Sequence, residues 1–170
     1  MITKYKTLIF FISLAICSAA RADLAGEWVG YGTERIDPQG FLKGLIPVAL
    51  KITRTNDNLI IEKTDGSGIF PPEYNTSDIL LFGTYRLKRS EQKPEFQVCL
   101  GDNPVGKLVD RFLSISYYQF SFQGQIPILE ITESANNSGV ATLKYKVQNV
   151  NEQLVQDFEV DLLRLRPEVK

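Results

Sequence analysis

The chain has 170 residues, 44% hydrophobic and 23% charged, with 19 basic and 20 acidic side chains and a formal net charge of −1. Near-neutral charge with both signs interspersed argues against a nucleic-acid surface, and the length suits one domain with its own core. Histidine is absent, which excludes Ser-His-Asp and Cys-His catalysis and histidine-ligated zinc, and leaves carboxylate, lysine or tyrosine chemistry open.

The first residues read as an export signal. Lys4 and Lys6 precede an apolar run from Leu8 to Ile16, short of the about 20 residues that a membrane-crossing helix needs. Small residues follow and end in Ala20-Arg21-Ala22, the pattern of a signal peptidase site. The expectation is a signal peptide over 1–22, a single domain over 23–170, and a periplasmic or extracellular location. Ile16 before Cys17 does not suit a lipid-attachment box. Cleavage removes Lys4, Lys6, Arg21 and Cys17 with no acid, so the exported part is more acidic and keeps Cys99 alone. With no intramolecular disulfide possible, stability must come from the core.

Beyond the signal the apolar period is two. Leu24-Ala25-Gly26-Glu27-Trp28-Val29-Gly30-Tyr31-Gly32 opens a first strand. Val48, Leu50 and Ile52 alternate with Ala49, Lys51 and Thr53, and after the Asn56-Asp57-Asn58 turn Leu59 to Lys63 answers as a hairpin partner. Asp65-Gly66-Ser67-Gly68 closes that hairpin, and Phe70-Pro71-Pro72 starts an irregular loop running to Asp78. A strand is predicted from Ile79 to Leu87. Phe96, Val98 and Leu100 alternate with Gln97 and Cys99, which places Cys99 away from the core, and Gly101-Asp102-Asn103-Pro104 breaks the chain.

From Phe112 to Phe122 the pattern changes face: Leu113, Ile115 and Tyr117 lie on one side, Tyr118, Phe120 and Phe122 on the other. Either both faces are covered or a bulge at Tyr117-Tyr118 re-aims the side chains. Ile126 to Thr132 is a strand that Pro127 places near an edge or a bulge. Asn136-Asn137-Ser138-Gly139 is the clearest turn, followed by Leu143, Tyr145 and Val147 alternating with Lys144, Lys146 and Gln148. Phe158, Val160 and Leu162 then alternate with Asp157, Glu159 and Asp161. The prediction is an all-β fold, an antiparallel meandering β-barrel of about eight or nine strands, with a β-sandwich as the alternative.

Gly26-Glu27-Trp28 on a first strand resembles the G-x-W signature of lipocalins and the wider calycin group. That resemblance implies a tryptophan plugging one end of the barrel and an arginine of the last strand packed across it. Parity from Phe158 through Leu162 brings Arg164 to the core side, with Arg166 in the same phase. Gly26, Trp28 and Arg164 are therefore the expected barrel closure. The opening also resembles the first strand of avidins, but Trp28 is the sole tryptophan, so the tryptophan-rich biotin cage of that family cannot be assembled.

A barrel of this size is either just filled by side chains or holds one small ligand. Gly30 and Gly32 share the parity of Trp28 and would leave room above it, or serve only to coil the strand. The leading expectation is an exported binding protein for a hydrophobic small molecule, held among Val48, Leu50, Ile52, Phe96, Val98, Tyr145, Phe158 and Val160. The alternative is a non-catalytic envelope or extracellular interaction module with a filled core. It would meet an envelope protein through Tyr117, Tyr118, Phe120 and Phe122 or through Phe70-Pro71-Pro72. No catalytic residue, cofactor, metal or nucleic-acid partner is expected. An outer-membrane barrel would show the same alternation read inside out. The chain instead ends Pro167-Glu168-Val169-Lys170, without a terminal aromatic residue, and is not expected to be integral to a membrane.

Overall fold

The computed structural model describes residues 24–35, 42–66, 69–71, 79–117, 124–137 and 139–165. Among them ten strands run in chain order around one closed ring: β1 (Gly26–Arg35), β2 (Leu42–Arg54), β3 (Asn58–Lys63), β4 (Gly83–Arg89), β5 (Phe96–Leu100), β6 (Asn103–Val109), β7 (Phe112–Ser116), β8 (Gln125–Glu133), β9 (Val140–Asn149) and β10 (Leu154–Leu165). Every strand pairs antiparallel with its chain neighbours, and β1 closes on β10 from Glu27↔Leu165 to Arg35↔Asp157. This is a closed meander rather than a sandwich, and it has ten strands where eight or nine were expected. The signal peptide and its cleavage site lie outside the described residues.

The additional strand is β6. Leu100↔Asn103 leaves only Gly101 and Asp102 to turn the chain, and Gly101 takes the positive φ of 60° that such a tight hairpin requires. Pro104, which reads as a breaker, is absorbed by a register shift: Val98 pairs with Gly106 but Cys99 with Pro104. Proline inside a sheet is tolerated at such a bulge because the ladder there already lacks one rung. Strand β4 begins at Gly83, not Ile79, because Ile79–Phe82 forms a turn closed by Phe82 N donating to Ile79 O (3.2 Å).

Pro127 sits at neither an edge nor a bulge, for its pairing with Val147 continues an unbroken register. Its carbonyl accepts from Tyr117 N (3.3 Å), so its missing N–H faces β7 one rung beyond that strand's last pair, Ser116↔Ile128. The proline thus ends β7 without disturbing β9.

Side chains of one parity form a single buried cluster running from Leu24 and Trp28 to Tyr85, Tyr145, Ile79 and Leu81. Opposite-parity positions such as Glu27, Lys51, Glu62, Lys88, Lys107, Lys144, Glu159 and Asp161 are exposed. The charged face therefore looks outward, the reverse of a lipid-facing barrel's apolar band. Cys99 faces outward with Gln97, as expected, yet is fully buried, its Sγ 3.8 Å from Gln97 Oε1. The turns at 55–57, 90–95, 110–111 and 134–137 lie at the Trp28 end.

Candidate functional site

The Trp28 end is closed by three side chains from three strands. Trp28 and Arg164 are cross-strand partners, and the guanidinium carbon stands 4.5 Å from the indole centroid, within cation–π range. Trp28 Nε1 donates to Leu24 O (2.8 Å), which supplies the partner that a buried indole N–H needs. Arg164 Nη2 lies 3.1 Å from Glu133 Oε1, which also accepts from Gly139 N (2.9 Å). Glu133 is the sole buried charged residue of the core among the described residues. Gly26 completes the group: a Cβ there would stand 3.3 Å from the Arg164 side chain at a φ of 143°. The G-x-W resemblance pointed to Gly26 and Trp28, and strand parity to Arg164 or Arg166, whereas Glu133 reads as an ordinary polar strand end. Its signal was the phase it shares with Leu129 and Ile131.

The expected lining residues do come together. Val48, Leu50, Ile52, Val98, Tyr145, Phe158 and Val160 are buried in the one core cluster, and Phe96 packs against it from the rim. Within that cluster the Tyr145 and Phe158 rings lie 5.1 Å apart. Gly30 and Gly32 do not open space above Trp28. A Cβ at Gly32 would lie 2.2 Å from Glu159 O and 2.3 Å from Val160 Cγ2, so these glycines let the β10 backbone and Val160 close in.

The opposite end is corked by the turn before β4. Ile79 and Leu81 are buried; Tyr85 Oη donates to Leu81 O (2.7 Å), and Leu80 N donates to Tyr145 Oη (3.0 Å). Tyr117 continues the inward phase of Leu113 and Ile115, and its hydroxyl lies 3.2 Å from that of Tyr85. It therefore belongs to the interior and not to an outer contact surface; Tyr118, Phe120 and Phe122 lie outside the described residues. Burial pushes the Tyr85 phenol well above its ordinary 10.0, with the Tyr117 hydroxyl adding to the effect. Burial likewise raises Tyr145, partly offset by the Leu80 N–H.

The chain matches no protein-family model and no curated protein.

A cleft of about 500 Å³ lies on the outer wall across β1, β2, β9 and β10. Tyr31, Thr33 and Leu45 form one side, and Lys144, Lys146, Asp157, Glu159 and Asp161 the other. Leu45 is 63% exposed and Leu163, further along β10, 59%. The chain after β3 folds back over this wall: Thr64 N donates to Ala49 O (3.1 Å), and the Phe70 ring meets Tyr31 edge-on at 4.9 Å. Gly66, at φ 59°, passes so close to Phe70 and Ala49 that a side chain would collide. Phe70 thus packs on the barrel, and Pro72 lies outside the described residues. Tyr31 and Leu45 escaped the sequence reading, although an aromatic in outward phase between two glycines was a usable signal. Among the described residues no three acidic or cysteine side chains gather as metal ligands would.

Proposed function

We propose that the chain is an exported, non-catalytic binding module built on a calycin-like barrel, which meets its partner through the outside of a filled sheet. The observation that carries this is the single buried apolar cluster that runs from Trp28 to Leu81. On this reading the interior is packed by its own side chains, and recognition falls to surfaces. The outer wall offers what a contact patch needs: Tyr31, Leu45 and Leu163 set among cations and anions of two strands. The outward charges suit a barrel surrounded by water, in line with the export signal.

A second reading, carriage of a hydrophobic small molecule inside the barrel, is favoured by one observation. The end opposite Trp28 is closed by a turn, not by strand side chains, and two tyrosine hydroxyls tie that turn down. Withdrawal of Ile79 and Leu81 would free space beside Tyr145 and Phe158.

Native mass spectrometry of protein purified without detergent separates the two. The surface reading expects the polypeptide mass alone, with no uptake of palmitate at the Tyr145 and Phe158 resonances. A stoichiometric apolar adduct would move the function to the interior.

A further inference from the structure

At the Trp28 end the inward phase of two strands finishes on a cation where a further apolar residue would continue the core. Val48, Leu50 and Ile52 of β2 are followed by Arg54, and Tyr85 and Leu87 of β4 by Arg89. The register fixes these orientations: Arg54 is opposite the buried Leu59, Arg89 is opposite Phe96, and Phe96 is opposite the buried Leu108. Arg54 stacks its guanidinium over the Phe96 ring at 4.6 Å. Two clefts, of about 250 and 530 Å³, share Arg54, Arg89 and Phe96 as walls; Leu108 and Pro94 line the smaller one.

The same end shows how this protein treats a guanidinium that only closes the barrel. Arg164 is given Glu133 at 3.1 Å. Among the described residues neither Arg54 nor Arg89 has a carboxylate within ion-pair range, although Asp57, Glu95 and Asp110 line the same clefts. Asp57 and Asp110 project from exposed turns, where water and salt screen them. Stacking leaves the edge donors of Arg54 available, and a guanidinium fork matches a carboxylate or phosphate.

We propose that this rim binds a small anionic amphiphile: a carboxylate or phosphate head on Arg54 and Arg89, and a short apolar tail against Phe96, Leu108 and Pro94. The smaller cleft falls just below the roughly 300–1,000 Å³ of a drug-sized ligand site, which favours a short tail over a long-chain lipid. The rim is separate from the outer wall and from the corked end, so it stands or falls independently of the surface function.

Calorimetric and amide-resonance titrations of the full exported chain with octyl phosphate and octanoate test it. Octanol and inorganic phosphate each supply half of the chemistry, and anionic phospholipid vesicles supply the head group fixed in a bilayer. Both soluble amphiphiles should bind and shift resonances around Phe96 and Arg89, more tightly than octanol or phosphate and without a need for vesicles. Arg54→Met and Arg89→Met should each weaken binding at least tenfold, with Arg54→Lys weakening it less and Arg86→Met, on the outer face, leaving it unchanged. Arg54→Met removes the Phe96 contact and can loosen the fold; Arg89 is exposed, so its variant carries the test if the melting curve of the first one moves. Equal affinity for octanol, full affinity in Arg89→Met, or binding to vesicles alone would overturn the assignment.

Discussion

Trp28, Arg164 and Glu133 form one unit whose parts cost very different amounts to remove. A buried indole truncated to alanine loses its transfer energy and leaves a void, so Trp28→Ala should destabilise by about 3–5 kcal/mol. Arg164→Met should cost about 2–3 kcal/mol because it leaves the Glu133 carboxylate buried without its cation; that is below the range for fully buried pairs, since the Arg164 side chain is 29% exposed. Glu133→Gln keeps a carbonyl for Gly139 N and should cost less than Arg164→Met. Urea unfolding of the two single variants and the double variant measures the coupling. If the double variant is no better than the sum of the singles, the two groups do not act as a pair. The resemblance called for an arginine of the last strand across Trp28, and parity put Arg164 in phase for it, with Arg166 in the same phase, because directly opposed residues of antiparallel strands share a face. Glu133 shares the inward phase of Leu129 and Ile131, but that phase alone does not say that a charged strand end will be covered.

The seam between β1 and β10 depends on two positions having no side chain. At Gly32 an added Cβ meets the backbone oxygen of Glu159 and Val160 Cγ2, neither of which is the end of a flexible chain. Gly32→Ala should therefore destabilise by about 1–3 kcal/mol or more, while Thr33→Ala, on the exposed face, should be near neutral. Thermal unfolding of both checks this; an equal effect would mean that the seam yields easily. The strands with clean alternation, β2, β3, β5, β9 and the second half of β10, were legible because one face meets apolar neighbours and the other meets water. Strand β6 was not, since Gly101-Asp102 turns the chain within two residues and Pro104 looks like a stop until a bulge accommodates it. Ile79 to Phe82 looked like strand because the cork is as apolar as a strand's inner face.

The closed barrel also sets how stability responds to alkali. Tyr85 and Tyr145 titrate above their ordinary value when folded and near 10.0 when unfolded. Below that pH both states hold the phenol protons and stability is unaffected. Above it the unfolded chain releases them while the folded barrel keeps them, so stability falls as pH rises. Urea midpoints should be flat across neutral pH and drop beyond about 10, and Tyr85→Phe should flatten the drop. An unchanged alkaline slope in that variant would show that Tyr85 opens to water before it ionises.

Period-two patterning and the turn residues were enough to specify an all-β chain, because alternation records which side of a sheet each residue faces; that its two ends could meet came from the G-x-W resemblance together with the phase of Arg164. Alternation carries no information on how far a sheet must curl before it closes, nor on how deeply facing side chains interlock. Strand number, the close approach permitted at Gly30 and Gly32, and the gathering of Tyr85, Tyr145 and Phe158 in one buried cluster therefore depended on strand tilt and stagger, which exist only once the ring is formed.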